Sequence, residues 1–102
     1  MIRKLRYSTD AREDLRDIAD FITEESGSED VAEFFIIQLD ERCRTLASLP
    51  GTLGSARPEL RFSIRSTPHK GYVILFRYGD NLLEVINIVH GSRDLANFFI
   101  NN

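Results

Sequence analysis

The sequence predicts an α+β fold in which an N-terminal strand, a two-helix hairpin and a three-stranded antiparallel segment build one twisted sheet packed on the helices. Three observations carry this expectation. Apolar residues recur at helical spacing from residue 11 to 46, the pattern turns to strand-like runs after residue 60, and a loop with two prolines and two glycines separates the two regimes. At 102 residues, with 42% apolar and 28% charged side chains, the chain is expected to be one globular domain over residues 1–102.

"IRKLRY" opens the chain as a half-exposed strand, with Leu5 and Tyr7 on one side and Lys4 and Arg6 on the other. A first helix then runs from Ser8 or Asp10, either one a good N-cap, to about Glu25. It turns Ala11, Leu15, Ile18, Ala19 and Ile22 to one face, and Asp10 with Glu13 would suit a capping box. Gly27 is the expected stop and Ser28 the expected cap of a second helix over about 29 to 48. The buried stripe of that helix is Ala32, Phe35, Ile36, Leu39, Cys43 and Leu46. Phe34 and Ile37 fall off the stripe. With Phe21 they are candidates for an apolar surface on which another chain docks.

"LPGTLGSARPEL" reads as loop, and "LRFSIR" as a strand with Leu60, Phe62 and Ile64 toward the core and Arg61 and Arg65 together on the other side. "GYVILFRY" and "NLLEVINIVH" are strands joined by the turn signal Gly79-Asp80-Asn81, too apolar for an open watery face, so the helices should cover the middle of the sheet. "SRDLANFFI" suits a final helical turn with Leu95, Phe98 and Phe99 packed on the sheet or on a partner.

Charge divides by region. Residues 1–50 carry 12 acids and 7 bases, and residues 51–102 carry 4 acids and 6 bases. The late bases gather at Arg57, Arg61, Arg65, Lys70 and Arg77, opposed there by Glu59, which predicts one basic face. A net charge of -3 argues against a life of non-specific nucleic-acid binding, and no direct sequence-specific binding is expected. With no apolar run of the roughly 18 to 20 residues that span a bilayer, and no signal-peptide core, a cytoplasmic protein is expected. The single cysteine, Cys43, has no disulfide partner and no companion metal ligands; it is a core residue or, alternatively, a reactive thiol. No metal or cofactor is expected.

The order of these pieces resembles the ParE branch of the RelE/ParE toxin superfamily. The resemblance rests on Ala11, Asp14, Leu15 and Ile18, then Ala32, Phe35 and Leu39. It continues through "LASLPGTLGSAR" against the family's Leu-Ala-x-x-Pro-x-x-x-Gly-x-x-Arg segment, Arg65, "YVILFR" and the ending "HGSRD". It implies the toxin of a type II toxin-antitoxin system, wrapped and neutralised in a hetero-oligomer by a cognate antitoxin, with DNA gyrase the favoured target. The target-contact candidates are Arg61, Arg65, Lys70, Arg77, His90 and Arg93, and the antitoxin candidates are Phe21, Phe34 and Ile37. The alternative is a RelE-like ribosome-dependent ribonuclease, with His90 as acid or base, Arg65 and Arg77 as phosphate clamps, and His69 and Lys70 assisting from a loop. A non-toxic protein-binding module is the third reading. Asn87 departs from the pattern, since many ParE-like sequences carry arginine shortly before the His-Gly pair.

Overall fold

A computed structural model of the chain describes residues 3–60 and 63–92. Strand β1 (Lys4–Tyr7) leads through Ser8 into α1 (Thr9–Ser26), Gly27 turns the chain, and α2 (Glu29–Ser48) follows. The remaining strands are β2 (Ser55–Ala56), β3 (Arg65–His69), β4 (Tyr72–Gly79) and β5 (Leu82–His90). They form one sheet in the order β1-β5-β4-β3-β2, with β1 parallel to β5 and every other pair antiparallel. The expected α+β architecture is present. The helix pair packs on one face of the sheet.

Gly27 adopts the left-handed conformation (φ 72°) that closes α1, and its N–H returns to the Thr23 carbonyl, as its position in the sequence predicts. Ser28 caps α2 by accepting the Val31 N–H. At the start of α1 the choice between two caps falls on Ser8. Its hydroxyl accepts the Ala11 N–H at 2.9 Å and donates to the Ile86 carbonyl at 2.6 Å, so one side chain caps the helix and ties it to β5. Asp10 lies in the first turn instead.

The larger core joins Ala11, Ile18, Leu39, Cys43 and Leu46 of the helices to Ile74, Phe76, Leu83, Val85 and Ile88 of the sheet. Val85 and Ile88 are three residues apart, and in a regular strand they would point to opposite faces. The register shift between Leu75 and Phe76 supplies the missing step. Leu75 pairs with Asn87 and Phe76 with Val85, leaving Ile86 as the extra residue of a β-bulge. Both apolar side chains thereby turn to the helices. Cys43 is fully buried there, and burial pushes its thiol up to about 11, which makes it a core residue rather than a reactive one.

The opposite face of the sheet is also covered in part. Leu75, Val89 and Val73 pack there against Leu60 and Ile64. This overturns the expected strand over residues 60–65: the chain is broken at Ser63, whose φ is 56°, and pairing with β4 begins only at Arg65. Leu60 and Ile64 are buried as expected, but by an irregular loop folded over the far face. The segment taken for the next loop, Ser66 to His69, is the body of β3.

Strand β1 stops at Tyr7 while β5 runs on to His90, so the outer edge of β5 needs other partners beyond Val85. The Ser8 N–H donates to the Val85 carbonyl, the Ser8 hydroxyl takes the Ile86 carbonyl, and the Asp14 carboxylate accepts the Ile88 N–H at 2.9 Å and the Asn87 side-chain amide at 3.1 Å. An unpartnered buried N–H costs about 1 to 3 kcal/mol. Asp14→Ala is therefore expected to lower stability by about 2 kcal/mol in urea unfolding, and Asp14→Asn by less, since its amide oxygen still accepts the Ile88 N–H. Equal losses for the two variants would contradict this role.

Candidate functional site

Among the described residues, the arginines singled out from the sequence do not share one face. Arg65 pairs in register with Phe76, which points to the helices, so Arg65 lies on that same face and not on the side away from the core. Its guanidinium donates to the carbonyls of Leu53 at 2.6 Å and Gly54 at 2.9 Å, pinning the loop before β2. Gly54 (φ 75°) sits so close that an added Cβ would meet Phe76 Cζ and the Ser66 carbonyl at 2.8 Å. The neighbouring Arg57 donates to Ser66 at 2.9 Å and pairs with Glu59. The arginines and glycine of this stretch hold a loop in place.

Arg77 belongs to the opposite face. It pairs with Glu84 of β5, which in turn pairs with Arg6 of β1, and the three charges line up across adjacent strands with N–O distances of 2.9 Å on each side. Burial of Glu84 by itself would raise its pKa, but the donors of Arg6 and Arg77 outweigh it and hold the carboxyl below its ordinary value. Arg77 is thus half-exposed yet neutralised. Arg61 and Arg93 lie outside the described residues.

His90 ends β5 on the helix-bearing face, opposite Tyr72, with the two rings edge-to-face at 5.7 Å. Its Nδ1 lies 2.7 Å from the Ser92 hydroxyl and accepts the Ser92 N–H at 3.3 Å. Tyr72 continues the aromatic row to Phe35, and Phe35 to His69. His69 is the last residue of β3 and not a loop residue; burial lowers its pKa, helped by Lys70 and Arg42. Lys70 occupies the hairpin turn and donates to Gln38 of α2 at 2.6 Å.

The three residues that a ribonuclease would need converge nowhere. Tyr72 marks the level of His90, and Arg77 lies five residues further along β4, roughly 17 Å away and on the other face. Arg65, opposite Phe76, lies roughly 13 Å along. A phosphate held near His90 is out of reach of both.

What does surround His90 is a cleft between the flank of α1 and the free end of β5. About 380 Å³ in volume, it is lined by Asp14, Asp17, Ile18, Phe21, Tyr72, Ile88, Val89 and His90. Burial holds the Asp14 carboxyl above its ordinary value, against the bonds from Ile88 and Asn87, and Asp10 and Asp17 push the same way. Sequence reasoning placed Asp14 only as a helix residue of a familiar pattern and passed over Asp17 and Tyr72. The i, i+3, i+7 spacing of Asp14, Asp17 and Phe21 on one helix face was the available signal.

The three apolar candidates are all exposed: Phe21 by 53%, Phe34 by 62% and Ile37 by 46%. Phe21 turns to the cleft. Phe34 and Ile37 lie on the side of α2 opposite its Ala32-Leu39-Cys43-Leu46 stripe, with exposed Val31 beside them. Among the described residues no group of side chains could hold a metal ion, and no helix is long and apolar enough to cross a membrane.

Fold and surface together define a small α+β protein with exposed apolar side chains on its helices and a cleft beside α1. The family model described as the ParE toxin of type II toxin-antitoxin systems matches residues 5–95, and the chain belongs to that family. Among solved structures the chain is similar to the chromosomal ParDE toxin-antitoxin system of P. aeruginosa. The TM-score is 0.74 at 16% identity, over 87% of this chain and 96% of that one. It is also similar to the RelBE2 toxin-antitoxin complex of Mycobacterium tuberculosis, with a TM-score of 0.65 at 18% identity, over 91% of this chain and 97% of that one. No curated protein matches in sequence. The protein is a type II toxin.

Glu84 offers a direct test of the charge row. Its folded pKa lies below the unfolded value near 4.5, so its pairing contributes stability above that pH and loses it as pH falls through the folded value. Glu84→Gln is expected to cost about 1 to 2 kcal/mol at pH 7, a figure kept small because both guanidiniums stand partly in water. The gap to the parent in urea unfolding should shrink below about pH 4.5. A gap that stays constant to pH 3 would contradict the pairing.

Proposed function

We propose that the toxin acts by contact, poisoning DNA gyrase, and that a cognate antitoxin neutralises it by docking on the helix hairpin. The observation that carries the contact reading is the separation of His90, Arg65 and Arg77: the first stands at one end of the sheet, and the other two lie further along and on opposite faces, each already engaged. The target surface on this reading is the sheet end formed by His90, Tyr72 and Lys70, with Arg93 following in sequence. Arg65 and Arg77 lie away from this sheet end, one fixing the loop before β2 and the other paired with Glu84.

The antitoxin surface begins with Phe34 and Ile37. An amphipathic helix laid along α2 would bury both, each contributing on the order of 1.5 to 3 kcal/mol. Since both are exposed in the free chain, replacing them together by serine leaves the fold intact.

Regulated expression of the chain alone is expected to arrest growth, and co-expression of its cognate antitoxin, sought as the product of a short reading frame immediately upstream and called the upstream product below, to relieve the arrest. Phe34→Ser with Ile37→Ser should stay toxic but require at least tenfold more of that product for relief. His90→Gln keeps size and hydrogen bonding and removes proton transfer, so it should still arrest growth. A folded His90→Gln chain that binds the upstream product normally and is harmless would transfer the reading to a ribonuclease.

A further inference from the structure

The cleft beside α1 has no part in the docking of Phe34 and Ile37, and its composition is distinctive. Ile18, Ile88 and Val89 make an apolar floor, Phe21 and Tyr72 present aromatic rings, and Asp14 and Asp17 stand on the α1 side. Among the described residues no lysine or arginine lines it. Among the described residues neither Asp14 nor Asp17 has a cation within ion-pair distance. The field around the opening has the same sign, because α1 as a whole carries seven acids against two bases, Arg12 and Arg16. Apolar walls beside carboxylates that lack an ion-pair partner among the described residues favour a cation whose stem is itself apolar, and an aromatic face adds to the attraction.

We infer that this cleft receives a lysine or arginine side chain of the antitoxin, set next to an apolar residue that covers Phe21. The inference rests on the antitoxin reading above and adds a second anchor to it, on the flank of α1 rather than the outer face of α2. The occupant is basic because the described residues of the cleft supply two carboxylates and no cation. It is part of an apolar segment because Phe21 stands about half in water at the rim. His90 lies at the far end of the cleft, so a segment seated there also covers part of the proposed target surface. Neutralisation then follows from occupancy.

The probe is a set of overlapping 20-residue peptides spanning the upstream product, titrated calorimetrically into the full chain. At low salt a binding peptide should contain a lysine or arginine beside an apolar residue. Asp17→Asn, and separately the change of that basic residue to glutamine, should each weaken binding about tenfold, and the two together by scarcely more. Raising the salt should erode the same tenfold. Phe21→Ser, on an exposed side chain, should weaken the same peptide.

Four results would overturn the inference. Asp17→Asn and Phe21→Ser could leave every peptide unaffected while Phe34→Ser with Ile37→Ser does not, in which case the antitoxin reading stands and the cleft is not its site. Self-association of the isolated chain that Asp17→Asn abolishes would put a second copy there. A chain ending at Ser92 that binds the peptide more than tenfold tighter would put residues 93–102 there. Failure of the intact upstream product to bind at all would remove the antitoxin reading as well.

Discussion

The early end of β1 governs much of this molecule. After four residues the strand leaves β5, and the chain spends its next elements completing what it left open. A bare sheet edge of buried carbonyls and N–H groups is costly in itself and invites pairing with another chain. Ser8 and Asp14 close it with side chains and backbone from the first turns of α1. Because those bonds fix α1 along the edge, they also set the gap between its flank and the end of β5, and that gap is the cleft in which Phe21, Tyr72 and His90 meet.

The second constraint is that β4 and β5 are apolar on both faces. Helices cover one of them, and the loop carrying Leu60 and Ile64 covers part of the other. The arginines on either side of that loop are themselves tied down. Arg57 and Arg65 spend their donors on Ser66, Leu53 and Gly54. The Leu-Ala-x-x-Pro-x-x-x-Gly-x-x-Arg segment therefore looks structural at each residue that can be followed: Leu46 and Ala47 are buried in the core, Gly54 lies against Phe76, and Arg57 bridges to β3.

The elements with strong periodicity were legible in the sequence. Both helices, their Gly27 and Ser28 boundary and the β4-β5 hairpin stand where spacing and turn chemistry put them. The failure came at residues 60–65, where alternation predicted a strand and put Arg61 and Arg65 on one exposed side. A left-handed residue at Ser63 breaks such a pattern without any glycine or proline to announce it. That slip moved Arg65 to the wrong face and made a basic patch out of charges that lie apart. The bulge at Ile86 was equally silent, since Val85 and Ile88 are apolar under either register. Site prediction suffered more than fold prediction for a physical reason: a face is lost by a one-residue slip, whereas a core survives it. The exposed Phe21, Phe34 and Ile37 were legible because they violate a stripe that the helices otherwise keep.

The proposed contact reading rests on candidate catalytic groups that, among the described residues, lie apart, with Arg65 and Arg77 already bonded. The measurement that tests this most directly is made with the purified parental chain in two parallel reactions, gyrase supercoiling of plasmid DNA and translation of a defined message on ribosomes. The contact account predicts loss of supercoiling with accumulation of cleaved, gyrase-linked DNA, and an intact message. Message cut on the ribosome, with supercoiling unchanged, would contradict it.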